Sequence, residues 1–394
     1  MSRDVPPPTP TDSPQSPRRP SRAARTESRH VGVGVAGVLV GLVVGLIALR
    51  GTAPLAGTGS IGQVAGLTVF GCGAGTAALT LSTLTRDSLP WFGGRHWGRR
   101  AIDVLGLSLV YGILGLFLTG ALFGVFQQAF QGVALDRLAG TFWVALAGGG
   151  AAYITSAAAA SLTGRSLATL LAAFLTVGVL ASAMNAADPY WWERYFSELG
   201  EGGDLSSFAF NLTLLLTGVA LVTVAEFLAH DLDRWARSAG ESRWLITTVR
   251  SLLTAVGVLV ALVAVISRTV SVFWHDVVAQ SLVVVFGLTL LVVPVLLRRL
   301  PGALIAVTAT AFALLVTVIV LYLGVDYLNM TAFEMGAAAI VYGWLLLFIR
   351  TVSAAAEDTE ERTPTPAPDV GPVPAATARQ PAESSDHQPS DVRP

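Results

Sequence analysis

Residues 31–49 read VGVGVAGVLVGLVVGLIAL, nineteen consecutive residues without a charged or strongly polar side chain. A helix needs about 20 such residues to cross the roughly 30 Å hydrocarbon core of a bilayer. The run is longer than the apolar region of a cleaved signal peptide, which usually has about 7–15 residues. It also lacks the apolar–polar alternation of a barrel strand. We therefore predict that residues 31–49 form a transmembrane helix.

Nine further apolar runs of similar length follow along the chain. Hydrophobic residues make up 53% of the 394 residues and charged residues 13%, against about 25% charged in a soluble domain. This apolar excess must face lipid, so we predict an all-α, polytopic transmembrane helical bundle. The ten predicted spans are residues 31–49, 61–84, 102–126, 139–162, 166–187, 208–229, 249–267, 276–297, 302–324 and 333–350.

The basic residues are divided very unevenly between the two ends of these spans. All 25 are arginine, and 21 of them lie at the end that also holds both termini. The other end has only Arg50, Arg137, Arg194 and Arg268. By the positive-inside rule, both termini are predicted to be cytoplasmic. The complete absence of lysine indicates a GC-rich bacterial genome, and hence a bacterial plasma membrane as the location.

Composition divides the chain into a membrane domain and two tails. Residues 1–30 are rich in proline and arginine and have almost nothing apolar to bury, so we predict a disordered cytoplasmic tail. Residues 351–394 are rich in proline, alanine, serine and acidic side chains, and they are also predicted to be disordered. The ten-span transmembrane domain covers residues 31–350.

A short motif at the outer end indicates an internal repeat. Glu198-Leu199-Gly200 recurs 136 residues later as Glu334-Met335-Gly336. Each tripeptide follows an Asp/Tyr pair, Asp188 with Tyr190 and Asp326 with Tyr327. This offset predicts a parallel repeat of two four-helix units, residues 101–230 and 231–350, preceded by an N-terminal helix pair at 31–100. Chance recurrence in low-complexity apolar sequence is the alternative.

The segment DPYWWERYFSELG, residues 188–200, is the most informative of the predicted outer gaps. Asp188 is a suitable N-cap, and Gly200 can adopt the left-handed conformation that often ends a helix. We predict a short amphipathic helix over Pro189–Leu199 that lies in the membrane interface. The helix would be either an aromatic anchor or a cap over an outward-facing cavity, with Glu198 turned toward that cavity.

Charged and histidine side chains of the outer gaps are the candidate ligand-binding residues. A cationic partner would hold a carboxylate at the interface in its ionised form. We predict that these groups converge on one outward-facing pocket, the alternative being that Glu198 is exposed on an interfacial anchor. The candidate residues are Glu198, Glu334, Asp188, Asp326, Arg268 and His275.

The sequence also resembles a known family. Ser197-Glu198-Leu199-Gly200, then Phe210-Asn211 and a span that carries Gly218, is similar to the bacterial membrane family called domain of unknown function 998. That family is allied to the DRAM-type membrane proteins of eukaryotes. Trp274-His275 fits the same pattern more loosely. The resemblance covers residues 100–300 and implies a helical bundle with a distinctive outer loop, without a reaction or a substrate.

Glycine is arranged in ridges on two of the predicted spans. Gly37, Gly41 and Gly45 are spaced four apart on the first, and Gly120 and Gly124 on the third. Such ridges let helix backbones approach closely within lipid. They suit either packing inside the bundle or the interface of a homo-oligomer, and the sequence leaves both open.

Several classes of function are disfavoured. A single cysteine, Cys72, excludes intrachain disulfides and cysteine-rich metal sites. No nucleotide, hydrolase or zinc motif is present, so we predict no enzyme, cofactor or metal. A net charge of −1 without a basic stripe argues against nucleic acid. No acidic residue or arginine lies at the centre of a span, which disfavours a proton-coupled pump. We expect contacts with lipids or a membrane protein at the outer face, the alternative being a permease of a small or lipidic substrate.

Overall fold

The computed structural model describes residues 21–87, 94, 96–239, 242–296 and 302–362. Within them lie ten helices long and apolar enough to cross a membrane, which confirms the predicted ten-span, all-α bundle of a multi-pass membrane protein. The helices are α1 Arg22–Ala48, α2 Ile61–Asp87, α3 Trp97–Ala129, α4 Arg137–Ala160, α5 Gly164–Met184, α6 Leu205–Ala239, α7 Arg243–Val265, α8 Val272–Leu296, α9 Gly302–Ile319 and α10 Met330–Arg362. We call the end with the α1–α2 and α5–α6 loops the outer end, after the predicted orientation, and the opposite end the inner end.

Two helices extend into segments predicted to be disordered. α1 begins at Arg22, because the prolines stop at Pro20 and the Ser21 hydroxyl caps the helix by accepting from the Ala24 N–H at 3.2 Å. α10 continues to Arg362, and Val352 within it is buried against the inner end of the bundle. The prediction of disorder is therefore wrong for residues 22–30 and 351–362. The rest of both tails lies outside the described residues.

Helices α1 to α4 pack through their backbones. α1 lies along α4, and α2 contacts both α3 and α4. A Cβ on Gly41 would lie 2.6 Å from the Ala145 Cα, and one on Gly37 would lie 2.6 Å from the Gly148 carbonyl oxygen. The glycine ridge of α1 therefore packs inside the chain. Gly120 on α3 faces open space.

A two-stranded sheet that the sequence did not indicate closes the outer end of this group. β1, Thr52–Pro54, pairs antiparallel with β2, Ala134–Asp136. The side-chain oxygen of Gln127 accepts from the backbone N–H groups of Leu55 and Ala56 at 2.9 and 3.1 Å. These bonds tie the α1–α2 loop to the end of α3.

Helices α5 to α10 form a second group around α6, which has the largest buried share of all the spans. α6 contacts α5, α7 and α10, and α3 joins the two groups by packing on both α5 and α6. Side chains fill this core. Trp344 on α10 stacks on Phe348 at a centroid distance of 4.7 Å and meets Phe286 of α8 edge-on at 5.6 Å.

The helix pairings differ between the two units of the predicted repeat. α4 packs mainly on α1 and α2, whereas α8, its counterpart, packs on α7 and α9. α9 also ends in a π-helical turn, Val320–Gly324. The repeat itself stays a prediction, which superposition of residues 139–200 on residues 275–336 would test.

Candidate functional site

The loop between α5 and α6, residues 185–204, is called the outer loop. It contains two 3-10 turns, Trp191–Glu193 and Phe196–Gly200, so the prediction of one continuous amphipathic helix is wrong. The Asp188 carboxylate accepts the Tyr190 N–H at 2.9 Å, which fixes the start of the first turn. Tyr195 is fully extended, with φ −158° and ψ 157°, and separates the two turns.

The second turn is seated on α6. Gly200 does not adopt a positive φ, contrary to the prediction. Its small size is required for another reason, because a Cβ there would lie 2.6 Å from the Asn211 side-chain oxygen. Asn211 in turn donates its amide N–H to the Gly200 carbonyl at 2.8 Å. Leu199 is buried, and Phe196 meets Phe210 edge-on at 5.3 Å.

Arg194 is the centre of the first charged contact. Its guanidinium pairs with Asp188 at 2.8 Å and forms a direct ion pair with Glu198. The Glu198 side chain is only 14% exposed, and its second oxygen, Oε2, is buried. Glu198 therefore turns into the loop, where Arg194 binds one of its oxygens, and the choice between anchor and cap stays a prediction.

Arg268, in the loop between α7 and α8, is the centre of the second contact. It pairs with Asp276 at 2.6 Å and with Glu201 at 3.2 Å. Its guanidinium also lies over the Tyr195 ring, 4.5 Å from the centroid. The Thr269 hydroxyl donates to the Glu201 carbonyl at 3.2 Å. The α7–α8 loop thus holds the outer loop from one side.

Tyr195 completes this second contact. Its hydroxyl donates to the Glu201 carboxylate at 2.9 Å. Burial, followed by interactions with Glu201 and Glu198, raises the pKa of Tyr195 to about 12. The phenol therefore keeps its proton throughout the physiological range and remains a donor.

Glu334, in the first turns of α10, makes the third contact. Its carboxylate accepts the Ser197 backbone N–H at 3.0 Å and the Ser197 hydroxyl at 3.4 Å. His275 is buried, with Nδ1 at 2.7 Å from the Ile266 carbonyl, and it interacts electrostatically with Glu334. The carboxylate of the second predicted tripeptide thus holds the loop that carries the first.

The structure does not bring the six candidate residues together in one contact. Asp188, Glu198, Arg268, His275 and Glu334 lie around the outer loop, but in the three separate contacts just described. Asp326 is exposed in the α9–α10 loop, at a φ of 55°, and takes no part in them. An open depression of about 330 Å³ is lined by Asp188, Tyr190, Glu193 and Arg194. Whether these groups bind a ligand stays a prediction.

Two positions of chemical interest were missed from the sequence. Arg194 had a signal, since it is an arginine in an acidic outer gap and precedes Glu198 by four residues. Asp103 on α3 had none. It is fully buried, 3.2 Å from Arg99, and accepts the Thr223 hydroxyl of α6 at 2.8 Å. Sequence placed it near a span end but gave no sign of this contact between helices.

The described residues hold no group of three or more histidine, cysteine or acidic side chains that could bind a metal ion. The outer loop offers ion pairs, hydrogen bonds and aromatic surface. Comparison with known protein families, curated sequences and solved structures finds no match. The resemblance to the domain of unknown function 998 accordingly stays a prediction.

Proposed function

We propose that the protein is a non-enzymatic membrane protein that acts through contacts of its outer loop with lipid headgroups or a partner protein. The supporting observation is that the loop is fixed at three places yet presents aromatic side chains. Glu201, Ser197 and Gly200 are bound to the α7–α8 loop, α10 and α6. Tyr190 and Trp192 remain 62% and 48% exposed.

A surface of this kind suits binding for two physical reasons. A loop that is already ordered loses little conformational entropy when a ligand or partner binds. Exposed tyrosine and tryptophan supply large contact areas and prefer the membrane interface. The depression beside them has both charge signs, Arg194 with Asp188 and Glu193, and so matches a zwitterionic headgroup as well as a polar protein surface.

Site-specific photo-crosslinking in native membranes tests this proposal. A photoreactive phenylalanine at Tyr190 should give a defined lipid or protein adduct, and the same residue at Val270, exposed in the neighbouring loop, serves as the control. Arg194→Gln, which removes the ion pairs with Asp188 and Glu198 and the positive charge of the depression, should remove the Tyr190 adduct. Equal adducts at both positions, or an adduct unaffected by Arg194→Gln, would refute the proposal.

One observation favours the alternative of a permease. The hydroxyls of Thr217 on α6 and Tyr342 on α10 are buried next to each other, and neither bonds to a further group among the described residues. A polar pair of this kind inside a membrane bundle suits a route for water or substrate. In a Cys72→Ala background, reaction of Thr217→Cys with small water-soluble thiol reagents would support this alternative. A lack of reaction before denaturation would oppose it.

The proposal includes a bacterial plasma membrane with both termini in the cytoplasm, which the arginine distribution supports. In the Cys72→Ala background, Val270→Cys should react with an impermeant maleimide in intact cells. Ser161→Cys, exposed in the α4–α5 turn, should react only after lysis. Labelling of Ser161→Cys in intact cells would show that the orientation is the opposite of the one proposed.

A further inference from the structure

A larger cavity, of about 670 Å³, lies at the inner end between α1, α2 and α4. We call it the inner cavity. Its volume is within the range of about 300–1,000 Å³ that is usual for small-molecule sites. The residues that matter for its chemistry are Arg25, Arg29, His30, Val33, Leu79 and Ser156.

The polar side of the inner cavity is positively charged. Arg25 and Arg29 lie one helical turn apart on α1, and no acidic residue is among those that line the cavity. The nearest carboxylate in sequence, Glu27, accepts a hydrogen bond from the Tyr153 hydroxyl at 2.7 Å. Among the described residues, no carboxylate forms an ion pair with either arginine. Arg194 and Arg268 at the outer end are paired with carboxylates, whereas these two arginines are available.

α1 and α4 are in close contact beside the arginines of the inner cavity. His30 is buried, and its Nδ1 lies 2.7 Å from the Ser156 hydroxyl of α4. One turn further along α1, a Cβ on Gly34 would lie 3.1 Å from the Tyr153 Cβ, so the two helices are in close contact. This contact fixes the position of both arginines relative to α4.

Most of the remaining lining surface is apolar, although Thr26, Thr76, Thr80 and Thr83 add hydroxyl groups to it. Val33 and Leu79 are its large apolar side chains, and Leu79 is exposed on the surface of α2. A site with a cationic end and an apolar wall matches an amphiphile better than a free anion. Basic pockets between transmembrane helices at the cytoplasmic side are typical binding places for anionic lipid headgroups.

We propose that the inner cavity binds an anionic membrane lipid. Arg25 and Arg29 pair with its phosphate through charge-assisted hydrogen bonds. An acyl chain lies along Val33 and Leu79. Free phosphate has the same headgroup chemistry but cannot use the apolar wall, so the lipid should bind much more tightly.

Native mass spectrometry of the full-length protein in detergent tests the site with phosphatidylglycerol and phosphatidylcholine as probes. The wild-type protein should retain phosphatidylglycerol in preference to phosphatidylcholine. In the double variant Arg25→Gln/Arg29→Gln, the ratio of phosphatidylglycerol binding to phosphatidylcholine binding should fall by about 30-fold, because two cation–phosphate attractions are lost. His30 and Ser156 are left unchanged because they pack α1 against α4.

The matched control removes the same charge at the same end of the bundle. Arg243 and Arg350 are exposed arginines outside the inner cavity, and Arg243→Gln/Arg350→Gln should retain the preference for phosphatidylglycerol. Equal loss in both double variants would mean general electrostatic attraction and would refute the site. The proposal would also fail if inorganic phosphate raised the melting temperature and phosphatidylglycerol did not. Equal melting temperatures of the two double variants exclude misfolding as the cause.

Discussion

The contact between α1 and α4 and the aromatic layer between α8 and α10 solve the same packing problem in opposite ways. In the first, Gly41 has no side chain, so the two backbones touch. A Cβ at this position would lie only 2.6 Å from the Ala145 Cα. In the second, Trp344, Phe348 and Phe286 fill the space between helices. Lipid gives no hydrophobic drive for helix association, so both contacts depend on close fit. One should therefore be damaged by added atoms and the other by removed atoms.

The largest effect is expected from Trp344→Ala. The indole is fully buried, stacks on Phe348, and donates its N–H to the Thr308 hydroxyl at 3.0 Å. Truncation leaves a cavity and removes the bond from the indole N–H to Thr308, and should lower the free energy of unfolding by about 3–5 kcal/mol. Denaturation in mixed micelles measures this value. Trp344→Phe keeps most of the side-chain volume, so its free energy of unfolding should fall by clearly less. Equal losses in the two variants would show that the volume of residue 344 does not determine stability.

Gly41→Ala tests the opposite sensitivity. A single methyl group would collide with the α4 backbone, and overpacking of this kind costs about 1–3 kcal/mol. Gly120→Ala on α3 is the matched control, because nothing lies within 4 Å of its Cβ position. In that variant the better helix propensity of alanine should leave stability unchanged or slightly increased. If Gly120→Ala were as damaging as Gly41→Ala, the α1–α4 contact would have no special dependence on glycine.

These two regions also show how far sequence reasoning extends. Continuous apolar runs and the arginine positions determine the number of spans, because lipid exposure acts on each helix separately. The spacing of Gly37, Gly41 and Gly45 predicts a helix contact. Its partner, α4, depends on long-range packing that no local pattern encodes. The aromatic layer had no signal, since Phe286 and Trp344 are 58 residues apart in apolar sequence.

The outer loop shows the same limit at the candidate site. Its location and the involvement of Glu198, Glu334 and Arg268 could be predicted from charge placement. The division into two 3-10 turns could not, because the second turn is held by side chains of α6 and α10 that are distant in the sequence. The pairing of Arg268 with Glu201 depends on how α7 and α8 approach the loop, which only the three-dimensional packing determines.

A third region, the outer loop, is held by charges and should respond differently from both packing contacts. Arg268→Gln removes the pairs with Glu201 and Asp276 and the contact with the Tyr195 ring. Because these groups are partly exposed, we expect a loss of about 1 kcal/mol. Hydrogen exchange should increase in residues 190–203 and stay unchanged in α1 and α4. Arg50→Gln, an exposed outer arginine, is the control, and exchange that increases throughout the bundle would contradict a local role.

A similarly small effect is expected at the start of α6. Stability depends on pH there, whereas the glycine and aromatic contacts contain no titrating side chain. The Asp204 carboxylate accepts the Ser207 N–H at 2.9 Å, and this bond lowers the pKa of Asp204 below its ordinary value. A depressed carboxylate pKa stabilises the folded state above the unfolded value of about 3.9, and the contribution is lost as the pH falls through the lowered pKa. Asp204→Ala should therefore lose about 1 kcal/mol at neutral pH.

Asp204→Asn separates the charge from the hydrogen bond in this test. Asparagine caps helices about as well as aspartate, so it should retain most of the stability at pH 7. The difference between wild type and Asp204→Asn should shrink as the pH is lowered from 5 to about 3, measured as melting temperature in detergent. Parallel curves across that range would mean that the ionised carboxylate contributes nothing. In that case the start of α6, like the α1–α4 contact, would depend on geometry alone.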